Sequence, residues 1–310
     1  MAVGKKSKSR PQGKGVGVSR KKGKRPNSRS GGRFWKAACV STVASFIAFS
    51  QLLNPGWLEQ FGLERFDLGR FIPVLVEQEH APLAVAHGEL VQTAFTQCPQ
   101  FFPGGSPSVP ADAALRELCF SDFAILHNGK TKTPVFVAQR LNRRMLAAAQ
   151  NISRADRFYA EARLPQAERA ELSDYRGSGY SRGHMAPAGD MSSSEAMAQS
   201  FSLANMAPQD QTHNAGAWNK IEADTRKYVM RARGDVYVFT GPVYGAGAQT
   251  IGEGRVAVPS YLYKLVYDAG TGRAWVHWQA NRADAKAGAP ISYDEFLSRT
   301  GLRLLPGKTN

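Results

Sequence analysis

Residues 174–190 read DYRGSGYSRGHMAPAGD, and this stretch decides most of what the sequence predicts. Three glycines fall within the seven residues 177–183, and the last one separates Arg182 from His184. Glycine lets a backbone turn tightly and approach a ligand closely. Residues two apart lie on one face of an extended chain, so Arg182 and His184 can point the same way. An imidazole beside a guanidinium suits an anion such as phosphate, although a lone histidine near glycines is more often structural.

A second polar stretch follows at residues 205–222, NMAPQDQTHNAGAWNKIE. Asn205 and Asn214 carry amide oxygens, which are hard ligands suited to Mg²⁺. Asn214 stands where a helix over 214–233 is predicted to begin, so it is either a metal ligand or a simple helix cap. Glu222 follows about two turns later, and we expect it on the same helix face as Asn214.

Together, the two stretches resemble the DNA/RNA non-specific endonuclease family, which includes endonuclease G and the secreted bacterial sugar-non-specific nucleases. The resemblance continues through VYVFTGPVY at 236–244 and VAVPSYLYKLVY at 256–267, and it covers roughly residues 120–305. It implies an α+β fold with a ββα-metal finger nuclease core and a central mixed or antiparallel sheet flanked by helices. The mixture of strands and helices without regular βαβ alternation also favours α+β.

Three residues match the parts of the family's site that carry the chemistry. His184 matches the general base. Asn214 matches the single protein ligand of a catalytic Mg²⁺ whose other positions are water. Glu222 matches a carboxylate that holds metal-bound water.

Other matches concern the substrate and the surroundings of the site. Arg182 matches an arginine that contacts phosphate, and Asn205 an asparagine near the active site. A further arginine upstream binds substrate in the family, and Arg154 and Arg157 are equal candidates for it. Ser181 stands where the family motif usually has Asp, which leaves the base, the ligand and Arg182 in place but alters the support of that arginine.

By resemblance, the chain hydrolyses phosphodiester bonds of DNA and RNA with little sequence specificity, uses Mg²⁺ or in its place Mn²⁺, and leaves 5′-phosphate ends. Two alternatives are a catalytically weak, membrane-anchored module that only binds nucleic acid, and a protein whose basic tail binds nucleic acid or anionic lipid by itself. The presence of both His184 and Asn214 favours the enzyme. A homodimer is a candidate assembly.

The net charge of +15 belongs mainly to one end of the chain. Residues 1–36 hold 13 of the 40 Lys and Arg and no Asp or Glu, which leaves 27 basic against 25 acidic residues in the remainder. Residues 1–33 lack large apolar side chains almost completely and are predicted to be a disordered basic tail. Total charge therefore says little about the chemistry of the folded part.

An uncharged segment follows the tail. Residues 37–58 carry no charge over 22 positions, long enough for a helix to cross a hydrocarbon core of about 30 Å. With its basic flank, it predicts a signal anchor over 34–56 that holds the nuclease domain at the inner membrane, facing the periplasm. The alternatives are a signal peptide cleaved near Ala48 or Ser50, which would release a secreted protein, and a buried helix.

The rest of the chain is predicted to divide into a linker and irregular lead-in over 57–110 and the endonuclease domain over 111–310. Cys98 and Cys119 are expected to form a disulfide if the compartment is oxidising, and otherwise to be buried thiols. Strands are predicted at the ranges 134–141, 235–240, 256–266 and 274–279, and a short helix after Ser292.

Overall fold

The computed structural model describes residues 88–307, and the structural statements below concern that range. The predicted tail (1–33) and anchor (34–56) lie outside the described residues, as does the first part of the predicted lead-in, 57–87. Within 88–307, no helix is long and apolar enough to cross a membrane.

Twelve strands and six α-helices make up the described residues. The strands are β1 Leu90–Gln92, β2 Ser108–Pro110, β3 Leu115–Cys119, β4 Ala124–Asn128, β5 Thr133–Leu141, β6 Tyr180–His184, β7 Met206–Asp210, β8 Val236–Val243, β9 Thr250–Ile251, β10 Val256–Ala257, β11 Tyr261–Asp268 and β12 Arg273–Ala280. The helices are α1 Arg143–Ala149, α2 Leu172–Tyr175, α3 Ser194–Ser200, α4 Gln211–His213, α5 Asn219–Val229 and α6 Tyr293–Thr300. A π-helical turn, Asn214–Trp218, joins α4 to α5.

The centre of the fold is a six-stranded sheet with the order β12-β11-β8-β5-β4-β3. Every neighbouring pair in it is antiparallel, so of the two predicted sheet types the antiparallel one is present. The strand predicted over 256–266 is instead two strands, β10 and β11, and this prediction was wrong in its extent. Pro259 lies between them, and proline has no backbone N–H to donate to a ladder.

Both faces of the sheet are covered, because successive side chains of a strand point to opposite faces. Phe136 of β5 lies on one face, in a core with Phe239 and with Phe296 of α6. Val137 lies on the other face, in a core with Trp218 and with residues that follow His184. The second face therefore supports the segment in which the polar stretches lie.

The end of the predicted lead-in packs against the first face. Phe95, Phe101 and Phe102 are buried in its core. The expected disulfide is present between Cys98 and Cys119, with Cα atoms 5.9 Å apart, so the alternative of two buried thiols was wrong. The disulfide fastens the lead-in to the edge strand β3.

Two antiparallel strands and a helix form the ββα unit. β6 pairs with β7, with Gly183 opposite Ala207. The Asp210 carboxylate then accepts the N–H of His213 at 2.9 Å and caps the helix. The helical segment therefore begins at Gln211, three residues before the predicted start, and α5 ends at Val229.

Candidate active site

The strand β6 presents the first polar stretch. Tyr180, Arg182 and His184 lie on one face of it because they are two residues apart. Gly183 lies on the opposite face, where a Cβ would lie 2.2 Å from Oε1 of the Gln209 side chain. Only glycine leaves room for the Gln209 side chain on that face, while its neighbours Arg182 and His184 lie on the other face and line the arginine-rich cavity described below.

His184 packs between two aromatic rings. Its ring centroid lies 5.1 Å from that of Phe201 and 5.7 Å from that of Phe158. Burial, together with the positive charges of Arg154 and Arg182, lowers the pKa of His184 to about 3, against the smaller opposing effect of Asp156. The imidazole is therefore neutral at physiological pH, the form that can accept a proton. Its Nε2 atom is buried without a hydrogen-bond partner among the described residues.

Asn205 supports this strand but does not line a cavity. Its Oδ1 accepts the N–H of Ala186 at 2.9 Å, and its Nδ2 donates to the carbonyls of Ala186 at 2.9 Å and Ser200 at 2.8 Å. The side chain is fully buried. Because all of its polar atoms bind backbone, it holds the chain just after His184 and positions that residue.

Asn214 is the first residue of the π-helical turn, and the cap of the helix is Asp210. The alternative that Asn214 is a simple helix cap was therefore wrong. In a continuous α-helix, eight residues turn about 800°, which would place Glu222 about 80° away from Asn214 around the axis. The π-helical turn takes up one extra residue without advancing the helix, so the two side chains are about 20° apart. The π-helical turn accounts for the shared face.

Glu222 lies among buried charges that the sequence did not point to. Burial raises its pKa to about 7 and Asp190 contributes, against the opposing charges of Lys264 and Arg226. Arg226 donates to Asp190 at 3.1 Å. Lys264, which is 1% exposed, donates from Nζ to Oγ1 of Thr240 at 2.7 Å.

Sequence reasoning missed both cations near Glu222. Arg226 lies four residues after Glu222 on the same helix, a spacing that could have identified it. Lys264 is the single charged residue within an otherwise apolar central part of β11, and an isolated lysine in such a strand was a signal as well. Neither residue was among the predicted site residues.

Two cavities meet at the same three side chains, Arg154, His184 and Asn214, which line both of them. The arginine cavity, of about 680 Å³, is lined in addition by Arg176 and Arg182.

The carboxylate cavity, of about 350 Å³, is lined by the three shared residues and by Asn219, Glu222 and Arg226. The structure thus brings together His184, Arg182, Asn214, Glu222 and Arg154 from the predicted set.

The choice between the two upstream arginines follows from these cavities. Arg154 pairs with Asp156 through Nε, and its guanidinium carbon lies 5.1 Å from the centroid of the Phe201 ring. Arg157 lines neither cavity. The guanidinium of Arg182 lies 4.1 Å from the centroid of the Phe158 ring, so an aromatic face holds each of the two arginines that flank His184.

The donors in the carboxylate cavity fit a hard divalent cation. Within residues 88–307, no group of three or more His, Cys, Asp or Glu side chains could hold a metal ion. The available oxygens are the amides of Asn214 and Asn219 and the carboxylate of Glu222. Mg²⁺ prefers oxygen ligands and takes few of them from protein, because it keeps several waters.

The chain is similar in sequence to known nucleases. A model of the DNA/RNA non-specific endonuclease family matches residues 103–297. The human mitochondrial nuclease EXOG is 37% identical over 159 residues, covering 48% of this chain and 43% of that protein. Nuclease C1 of Cunninghamella echinulata is 33% identical over 174 residues, covering 52% and 67% respectively.

The chain spans about half the length of most of the curated relatives it matches. A solved structure of EndoG in complex with EndoGI has a TM-score of 0.57 and 26% identity, and the match covers 68% of this chain and 92% of that one. The family match includes both polar stretches and extends over more than half of the sequence. The chain therefore belongs to the DNA/RNA non-specific endonuclease family.

Proposed function

We propose that this protein is a metal-dependent endonuclease that hydrolyses phosphodiester bonds of DNA and RNA with little sequence specificity and leaves 5′-phosphate ends. The observation that carries the proposal is the junction of the two cavities. There a neutral imidazole, a guanidinium and an amide oxygen line the same space, at His184, Arg154 and Asn214.

In this scheme His184 is the general base. Its Nε2 is buried, which leaves Nδ1 as the nitrogen that accepts a proton from the attacking water. The water oxygen bonds to phosphorus, the bond from phosphorus to the 3′ oxygen breaks, and that oxygen leaves with a proton taken from solvent water. Arg182 and Arg154 bind the non-bridging oxygens of the phosphate and stabilise the charge that develops on them. Both contact phosphate and not a base edge, which accounts for weak sequence specificity.

Asn214 and Glu222 would hold Mg²⁺, with Mn²⁺ as a substitute. When bound, the ion supplies positive charge that offsets the charge of the transition state. Asn205 positions the chain after His184 through its backbone hydrogen bonds.

The test uses the full chain with plasmid DNA and with single-stranded RNA, in Mg²⁺ and in EDTA. Wild type should degrade both substrates only with the metal, and His184→Ala should lose about 10²–10⁴-fold in rate while it still binds DNA. His277→Ala is the matched control, because His277 lines neither cavity. The products should resist end-labelling by polynucleotide kinase until phosphatase has acted. A wild type that binds nucleic acid in Mg²⁺ without cutting it would support the binding-module alternative instead.

We further propose that the nuclease domain works outside the cytoplasm, either anchored in the inner membrane by the uncharged segment 37–58 or secreted after its cleavage. The disulfide between Cys98 and Cys119 supports this, since such bonds persist in oxidising compartments. Cell fractionation and mass spectrometry of the unreduced native protein test both parts. A cytoplasmic protein with two free thiols would contradict them.

A further inference from the structure

We propose that the arginine cavity binds a second phosphate of the nucleic-acid strand, beside the one at His184, and that Arg176 is the residue that binds it. This inference rests on the proposed function and specifies how the substrate continues beyond the reacting phosphate. Arg176 was not among the predicted site residues.

The positive charge of the arginine cavity is enough to bind more than one anionic group. Three arginines, Arg154, Arg176 and Arg182, line it, and no Asp or Glu does so among the described residues. Arg154 has a partner in Asp156. Arg176 and Arg182 make no ion pair within residues 88–307, so their charges are free for a ligand.

The acidic residues nearest to Arg176 in sequence are engaged elsewhere. The Asp174 carboxylate accepts the N–H groups of Glu171 at 2.9 Å and Gly254 at 2.7 Å. The Glu171 carboxylate pairs with Arg169 at 2.7 Å. Because both carboxylates have partners, Arg176 is left exposed on the rim of the cavity without a counter-charge.

The side chains of β6 that line the cavity are arranged in a row along which a nucleic-acid strand could lie. Tyr180, Arg182 and His184 share one face of β6, which spans about 13 Å at about 3.3 Å per residue. Arg176 precedes Tyr180 in the chain, on the side of the strand start and away from His184, and lines the same cavity. Arg182 and Arg154 serve the phosphate at His184, so a guanidinium at the far end suits the neighbouring phosphate of the same strand.

The backbone between Arg176 and Tyr180 is held in place. Ser178 Oγ donates to the carbonyl of Tyr175 at 2.9 Å, and Gln211 Nε2 donates to the carbonyl of Gly179 at 3.1 Å. Arg176 is therefore presented from a fixed turn, which limits the ordering cost of binding.

The cavity has room for the nucleoside between two phosphates. Its volume of about 680 Å³ is that of a small-molecule site. Gly177 and Gly179 have open space where a side chain would stand, and their φ angles of +68° and +83° favour glycine. Leu172 and Tyr180 add apolar surface against which a sugar or base can pack.

The test compares two substrates with the Arg176→Gln variant of the full chain. One is the p-nitrophenyl ester of thymidine 5′-phosphate, which has a single phosphodiester, and the other is a single-stranded DNA oligonucleotide. We expect kcat/KM for the oligonucleotide to fall about tenfold, mainly through KM, as for one lost charge-assisted contact. The ester should be cleaved as by wild type. The slope of log kcat/KM against log salt concentration for the oligonucleotide should become shallower by about 0.7.

Two further variants sharpen the comparison. Arg176→Lys keeps the charge and should recover part of the loss. Arg233→Gln removes an exposed arginine that lines neither cavity, and it should change neither substrate. Equal losses of Arg176→Gln on both substrates, or an unchanged rate on the oligonucleotide, would overturn the proposal.

A binding measurement separates this inference from the proposed function. Anisotropy of a labelled oligonucleotide in EDTA reports affinity without cleavage. If wild type binds but cuts neither substrate, the proposed function fails, while weaker binding and a shallower salt dependence of Arg176→Gln still support the second phosphate site. Unchanged binding by Arg176→Gln in that case would overturn it.

Discussion

Asn205 and Ala186 make a reciprocal pair of hydrogen bonds, in which the amide of the side chain binds both the N–H and the carbonyl of the backbone at 2.9 Å. Ala186 is two residues after His184. Since the same amide also donates to the carbonyl of Ser200, a single buried side chain ties β6 to the end of α3.

The Asn205→Asp substitution tests whether this amide has a positioning role. A carboxylate cannot donate to the carbonyls of Ala186 and Ser200, so we expect a loss of stability on the order of 3 kcal/mol and a larger fall in kcat than in substrate affinity. Urea unfolding and steady-state kinetics would measure both. A stable variant with normal kcat would show that the hydrogen bonds do not hold His184 in place.

The pH dependence of His184 follows from its surroundings. Its pKa is lowered to about 3, so the ring should show no titration between about pH 5 and pH 8. The unfolded chain has the ordinary histidine value of 6.5 and binds the proton first, so this group makes the fold less stable as pH falls from 6.5 toward 3. NMR of the ring in metal-free protein measures the pKa, and an inflection near 6.5 would contradict the prediction.

Substitutions at Asn214 separate metal binding from folding. Because Asp210 caps the helix, both Asn214→Ala and Asn214→Asp should fold. Alanine removes the oxygen donor and should weaken both activity and the response to Mg²⁺, whereas Asp should bind the ion more tightly and turn over more slowly because it adds negative charge beside a phosphate. A Mg²⁺ titration of the cleavage rate, with circular dichroism as the folding control, measures both. A normal Mg²⁺ response in Asn214→Ala would remove this residue from the site.

Lys264 is predicted to set the charge of Glu222. Its buried ammonium opposes the effect of burial, so Lys264→Met should raise the pKa of Glu222 above about 7 and reduce activity at neutral pH. Carboxyl NMR in metal-free protein measures the shift. Lys220→Met is the matched control, because Lys220 pairs with Asp224 in solvent. An unchanged pKa of Glu222 in Lys264→Met would show that the charge of Lys264 does not act on Glu222.

The disulfide is expected to stabilise the fold. It closes a loop with a sequence separation of 21, and its removal should cost about 3 kcal/mol of unfolding free energy. The double variant Cys98→Ala, Cys119→Ala and reduced wild type should lose the same amount in urea titrations, whereas Cys39→Ala should lose none. Equal stability of oxidised and reduced protein would show that the disulfide adds nothing to the stability of the fold.

The site was predictable where its chemistry lies in contiguous sequence. His184 with Arg182, and Asn214 with Glu222, are near neighbours along the chain, so their residue types and spacing were visible. Lys264 comes near Glu222 only through the tertiary fold, because β11 pairs between β12 and β8 and is distant from Glu222 in sequence. The isolated lysine was visible in the sequence, but its partner was not.

The elements of the fold were likewise predictable only where the local sequence pattern determines them. The β5 strand and the helix after Ser292 were predicted from local pattern, and both are confirmed. Two features were missed because a single residue determines each of them and the hydrophobic pattern does not. Pro259 divides the strand predicted over 256–266, and Asp210 caps the helix predicted to begin at 214. Sequence periodicity carries no mark of the π-helical turn, because that turn differs from an α-helix by one residue.

Because of the extra residue in the π-helical turn, a one-residue deletion should have different effects in that turn and in the regular helix that follows. Deleting Ala215 would let the π-helical turn close into an α-helix, and Asn214 and Glu222, now seven residues apart, would stay about 20° apart around the axis. Deleting Lys220 would shorten the regular part while the wide turn remained, and would move the two side chains about 120° apart. A deletion within Asn214–Trp218 would thus leave Asn214 and Glu222 on the same face of the helix. A deletion in the regular helix directly after it would separate them.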